Sequence, residues 1–260
     1  MPSRRQFLAG TAAALFVAAC SDDGSGTATR AAPTTTTDVP ATTMLPSTTT
    51  TLPTGPATFT TSGPTTTNRV ALTFHTSGDL DRAAQLLDVL DARGVVMTAF
   101  IVGEWLEADP TWAARITGSG HELANHTYTH PTFGNLSPEA MAEEITRCRD
   151  VLVRLGGTGG KYFRPSGTAD GTTMPSAAVL EAAGAAGYRT VLGFDVDPFD
   201  YQDPGAAAVA QRTLAAVAPG SVVSLHFDHP GTIEALPTIL DGLAQRGLQP
   251  GTASQLLTPA

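Results

Sequence analysis

Six histidines punctuate this chain, and most of them follow an apolar, β-prone run. The densest group is HELANHTYTH, in which His126 and His130 lie four apart. That spacing can place both imidazoles on one side of a turn or helix and let them bind one metal ion. Upstream, VALTFHTSGDL ends an apolar run at Phe74 and then presents His75, Thr76 and Asp79. Downstream, YFRPSG supplies Arg164, DVDPFDY supplies Asp195, Asp197 and Asp200, and SLHFDH supplies His226. Singly, each has an ordinary explanation: a surface ion pair, aspartates capping turns before proline, a histidine finishing a strand. Jointly they describe a metal site with a positioned acid and a carboxylate to tune it.

Something must bring these residues together. From Arg69 onward, strand-like runs (RVALTF, VVMTAFIV, HELANH, KYF, YRTVLGFDV, SVVSLHF) alternate with amphipathic helical stretches. Helices are expected at about Leu80 to Arg93, Thr111 to Ile116, Ser137 to Leu155, Pro175 to Ala186, Pro204 to Val217 and Ile233 to Arg246. In the third, Ser137 can cap, Pro138 suits the first turn, and Gly156 and Gly157 stop an apolar stripe. Regular alternation implies a parallel sheet with crossover helices. Six or seven such units make either a doubly wound open sheet or a small barrel. Because the histidines follow strands, and the strand ends of a β/α barrel converge on one mouth, a barrel with its site at the top is expected.

The chain before Arg69 is different material. Residues 1–20 join a basic start (Arg4, Arg5) to an apolar run from Phe7 to Ala19 and end in VAAC. An apolar stretch of about a dozen residues is too short for a permanent span and reads as an export signal. SRRQFL resembles a twin-arginine signal, and VAAC resembles the lipobox of bacterial lipoproteins, with Cys20 the acylated residue. Residues 21–68, rich in Thr and Pro, are expected to be a disordered tether reaching about 100 Å or more. The expected location is the outer face of the cytoplasmic membrane by lipid anchor, or outside the cell if the lipobox is not used. Cys148, at helical spacing with Met141, Ile145, Leu152 and Leu155, reads as a small buried apolar residue. A net charge of −9 and a single lysine, Lys161, exclude a nucleic-acid partner and disfavour anionic polymers. A monomer is expected.

Over residues 69–260 the order and content of the motifs resemble the NodB-type polysaccharide deacetylases, carbohydrate esterase family 4. The matching pieces are ALTF, TAFIVGEWLE, GHELANHTYTHP, FRP, DVDPFDY and SLH, with a closing helix and SQLL. The resemblance implies an α/β fold, a distorted (β/α)7 barrel, and hydrolysis of N-acetyl or O-acetyl groups on an envelope or extracellular polysaccharide. It implies that His126 and His130 are ligands of one divalent metal ion, most often zinc. His226 would be the general acid for the leaving amine, Arg164 would orient the base, and Asp197 would pair with His226 or Arg164.

The match fails at the first motif. The family reads T-F-D-D-G, a base and then a metal ligand, where this chain reads TFHTSGD. In one repair His75 is the base and Asp79 curls back as third ligand to the metal. In another, His75 is the ligand and Asp79 the base, and in a third the domain is a catalytically inactive carbohydrate-binding lipoprotein. Asp79 also directly precedes the helix at Leu80 and would make a good N-cap. Ser166 and Gly167 replace an aromatic residue usual after the proline of FRP, and Tyr201 stands where tryptophan is usual.

Overall fold

A computed structural model describes residues 55–168 and 170–258. Among the described residues there are eight strands: β1 Thr58–Thr60, β2 Arg69–His75, β3 Thr98–Ile101, β4 Glu122–Asn125, β5 Tyr162–Phe163, β6 Thr190–Leu192, β7 Val222–His226 and β8 Gln249–Gly251. Every strand pairing is parallel, in the order β1-β6-β5-β4-β3-β2-β7, with β8 added beside the start of β2. Parallel pairing requires crossovers. These are α1 Leu80–Ala92, α2 Gly103–Ala108, α3 Thr111–Gly118, α4 Pro138–Gly156, α5 Ala177–Ala185, α6 Ala206–Ala216 and α7 Pro230–Gln245, with α8 Ala253–Leu257 closing the described chain. The sheet curls into the incomplete barrel that the motif order implied.

β2 explains the curl and the position of the site. It reads RVALTFH, and six of its seven residues are buried on both faces, as befits a central parallel strand. Leu72 and Phe74 point outward into the apolar layer under α1 and α7, while Ala71 lies inside with Phe100, Ala124 and Leu192. On the same inward face, Thr73 and His75 carry polar groups toward the mouth. Register then pairs His75 with His226 on β7, so two histidines 151 residues apart meet at the same level. Cys148 is buried in the apolar layer, and burial pushes its thiol up, away from thiolate chemistry.

The expected tether overlaps the fold. Thr58–Thr60 pairs with β6, Ala57 and Phe59 pack on the α5 side, and Ser62 bridges to Ser221, so the folded chain begins before Arg69. A three-residue strand with one aromatic side chain, set in Thr-rich sequence, leaves too little periodicity to be read. The signal segment and Cys20 lie outside the described residues.

Candidate active site

All the strands run one way, so their carboxyl ends form one rim, and the chemistry-bearing residues sit on it. His75 ends β2, His126 follows β4, Arg164 follows β5, and His226 ends β7. Asp197 and Asp200 lie in the segment between β6 and α6. His75, His126, His130, Asp197, Tyr201 and His226 line a cavity of about 190 Å³. It shares His75, His130, Tyr201 and His226 with a second lobe of about 520 Å³.

His126 and His130 are not on a helix. They share a tight loop in which Thr127 and His130 themselves adopt left-handed backbone, with φ of 72° and 58°. Such strain persists only where neighbours enforce it. Here the Thr127 amide donates to Asn125 Oδ1 (2.9 Å), and the amides of Tyr128 and Thr129 both donate to Glu144 Oε2 (2.8 Å each). Ser166 fixes the other side, donating to the Pro131 carbonyl at 2.6 Å and lying 3.1 Å from the Thr127 hydroxyl. A Cβ on Gly167 would stand 2.9 Å from Thr132 Cα, so the unusual Ser-Gly pair after FRP lets the histidine loop pack onto the β5 end. The result is two imidazoles with ring centres 5.0 Å apart.

The other polar side chains form a hydrogen-bond chain whose direction can be assigned. Arg164 Nη1 lies 2.9 Å from His75 Nε2, His75 Nδ1 lies 2.9 Å from His226 Nε2, and His226 Nδ1 lies 2.8 Å from Asp200 Oδ1. A guanidinium can only donate. His75 therefore accepts at Nε2 and donates from Nδ1, which makes His226 accept at Nε2 and donate from Nδ1 to Asp200. The far end is equally fixed, because Asp200 Oδ2 already accepts from the His226 amide (2.8 Å) and the Thr232 hydroxyl (2.6 Å). Asp200 is 1% exposed.

Arg164 is 2% exposed and, among the described residues, has no carboxylate in hydrogen-bond contact. It donates to the carbonyls of Leu192 (2.8 Å) and Gly193 (2.9 Å) and to Thr73 Oγ1 (3.0 Å), and its guanidinium lies 3.9 Å over the Phe100 ring. Burial pushes it down to about 9, partly countered by the charge of Asp197, so it remains a cation at neutral pH. Burial, then the neighbouring histidines and Arg164, hold His75 well below the usual imidazole range. His126 is held well below for the same first reason, with His130 next. Burial raises Asp197 above the ordinary carboxylate range.

Two expectations need correction. Asp79 does not turn into the site: its Oδ1 accepts the Arg82 amide at 3.0 Å as the N-cap of α1, and its side chain is exposed. The loop cannot relax inward easily, because a Cβ on Gly78 (φ 65°) would lie 1.8 Å from Asp228 Oδ2, and Asp228 is held by Arg82 at 2.9 Å. Asp197 is not the partner of His226, since Asp200 occupies that place. Asp197 instead accepts the Phe199 amide at 2.8 Å and faces the cavity. Among the three acids of DVDPFDY, Asp195 clamps Ser221 and the Val222 amide, a structural duty. Spacing alone gives no means of ranking them. The one available signal was that Asp200 lies farthest from the strand end, where a turn can swing it back to β7.

The donor set does not complete a resident metal centre. His126 Nδ1 donates to the Arg164 carbonyl at 2.9 Å, which leaves Nε2 as a lone pair, the arrangement of a ligating histidine. His130 stands beside it. Among the described residues a third protein ligand is lacking: both ring nitrogens of His75 are engaged, the Thr76 hydroxyl accepts the Val102 amide at 3.0 Å, and Asp79 caps α1. Among the described residues, no three His, Cys, Asp or Glu side chains form a group that could hold a metal ion. The expected zinc site of His126, His130 and Asp79 is therefore not formed by this geometry.

Comparison with known proteins agrees with the fold. The polysaccharide deacetylase family profile matches residues 62–191. A peptidoglycan-N-acetylglucosamine deacetylase of Bacillus cereus is 30% identical over 193 residues, covering 72% of this chain and 67% of its own length. A crystal structure of a peptidoglycan N-acetylglucosamine deacetylase superimposes with a TM-score of 0.71 at 28% identity, over 78% of this chain and 94% of the other. A family 4 pseudoenzyme from Bacillus anthracis shares the fold with a TM-score of 0.70 at 24% identity, over 76% and 68%. On the profile match and the extent of the 30% relative, this chain belongs to the polysaccharide deacetylase family.

Proposed function

We propose that the protein removes acetyl groups from an N-acetylated, β-linked glycan of the cell envelope, with N-acetylglucosamine as the unit attacked. The observation that carries this reading is His226, backed by a buried carboxylate, at a cleft that also presents Asp197. Water attacks the amide carbonyl and Asp197 takes its proton; burial makes this carboxylate a stronger base than an ordinary aspartate. Once His75 has given up its place, His226 Nε2 takes a proton from solvent, with Asp200 still accepting from Nδ1, and the C–N bond breaks as that proton passes to the departing nitrogen. The products are acetate and a free amine. For this, His226 Nε2 must exchange His75 for substrate. These steps use the chain's own side chains, since among the described residues His126 and His130 have no third ligand beside them. An O-acetyl group at the same position would be cleaved by the same two residues.

One observation favours a second reading, a glycan-binding protein without turnover: the His75–His226 bond occupies the nitrogen that the acid would use. A single experiment separates the two. Acetate released from an N-acetylglucosamine tetramer, and abolished in His226→Ala, is the expected result; saturable binding with no acetate overturns the hydrolase and supports the second reading. Export through the twin-arginine signal and acylation of Cys20 would place the enzyme on the outer face of the membrane. Loss of lipid label in Cys20→Ala is the check.

A further inference from the structure

The larger lobe of the cleft has a chemistry that the acetyl-transfer residues do not use. Its floor is the His75–His226 pair, and one wall is the start of α2, where Glu104 and Trp105 face it; Tyr201 stands on another. The wall is held in place. The amides of Gly103 and Glu104 donate to the carbonyls of Thr127 and Tyr128 at 3.0 and 2.9 Å, tying α2 to the histidine loop. The indole of Trp105 donates to the Gly78 carbonyl at 3.3 Å and packs on Trp112 and Phe227. Tyr201, 42% exposed, is set edge-on to His226.

Among the described residues Glu104 is the acidic side chain lining this lobe, and no lysine or arginine lines it. Other acids nearby are engaged: Glu107 on the same helix meets Arg154 and the Tyr128 hydroxyl, and Glu144 holds the histidine loop. Among the described residues Glu104 has no ion pair and no side-chain hydrogen bond. An acceptor-only group beside two aromatic side chains suits an ammonium, by charge and by the cation–π attraction of the rings. A pyranose also has an apolar face that can lie on an aromatic ring. A net charge of −9 favours a cationic polymer over an anionic one.

We infer that this lobe is a subsite for a sugar that already carries a free amine, so that the protein favours glycans partly deacetylated next to the unit it attacks. The inference rests on the hydrolase reading for the identity of the neighbouring unit. Its binding test does not. Full-length protein is titrated by calorimetry with a glucosamine tetramer and with an N-acetylglucosamine tetramer, at a pH where the sugar amines are protonated. The glucosamine tetramer should bind about fivefold tighter, the scale of one accessible ion pair. The preference should shrink with added salt and vanish in Glu104→Gln. Trp105→Ala should weaken both oligomers. Equal affinity in the wild type, or a preference that survives Glu104→Gln and disappears in Asp197→Asn, overturns the assignment. Acetate release is recorded in parallel: a glucosamine preference without acetate keeps the subsite and removes the hydrolase.

Discussion

The chain from Arg164 to Asp200 has a donor-only group at one end and an acceptor-only group at the other, with two imidazoles between them. Asp200→Asn challenges that polarity. If the asparagine oxygen keeps the His226 amide and Thr232 bonds, its NH2 group faces His226 Nδ1, a donor against a donor. Reversing the His226 tautomer moves the clash to His75, and reversing His75 moves it to Arg164, which cannot accept. The conflict has no exit. It costs one charge-assisted hydrogen bond, about 1.5 to 3 kcal/mol, so the variant should lose about 3 kcal/mol with the mismatch included. Arg164→Gln is destabilising alone, but it replaces the donor-only end with an amide that can also accept. Combined with Asp200→Asn, it lets the whole chain reverse. The double variant should be more stable than the sum of the singles by about 1 to 2 kcal/mol, although two rings separate the sites. Urea midpoints at constant m-value give the cycle. Nitrogen-15 NMR should find the wild-type His226 protonated at Nδ1, and at Nε2 in the double variant. Additivity within about 0.5 kcal/mol, or an Nε2-protonated His226 in the wild type, refutes the assigned direction.

Two further outcomes are expected. His75, His126, His130 and His121 are held below the ordinary imidazole value in the fold, burial being the first cause for each. Unfolded chain therefore binds more protons just below about pH 6.5, so stability is full above that value and falls as pH drops beneath it. A Tm that stays flat from about pH 6.5 down to the carboxylate range contradicts this. Asp79→Ala should cost about 1 kcal/mol, as loss of an N-cap does, and lower the Tm without changing zinc affinity measured by calorimetry. Zinc affinity that depends on Asp79 would restore it as a ligand.

Legibility in the sequence followed how local each determinant is. α4 was readable because Ser137, Pro138 and Gly157 act on the backbone next to them, and the structure has Ser137 accepting the Ala140 amide and Gly157 in left-handed backbone. The convergence of His75, His126, Arg164 and His226 was readable because parallel strands put all their carboxyl ends on one rim. What failed was choice among neighbours. Asp197 and Asp200 are three residues apart, and the chain passes through the left-handed Phe199 between them before Asp200 bonds His226 on β7. Asp79 offered three roles, ligand, base and cap, and the structure has it as the cap, beside a Gly78 packed closely on Asp228 of a distant loop.

Charge explains why the altered first motif goes with the missing ligand. An imidazole at position 75 cannot neutralise Arg164 as a carboxylate would, so the guanidinium keeps its charge in a buried place and is satisfied by neutral acceptors and an aromatic face. That charge, only partly countered by Asp197, is one of the causes holding His75 and His126 below the usual imidazole range. A divalent cation on His126 and His130 would add two more positive charges near it, with no carboxylate ligand to offset them. Like charges in a low-dielectric site repel more strongly than in water. The hydrogen bonds engage both nitrogens of His75, and the guanidinium that makes one of them also repels the ion. Changing His75 to aspartate should therefore raise zinc affinity even though Asp79 stays at its cap. No gain in His75→Asp would mean that the charge balance at position 75 does not govern zinc affinity.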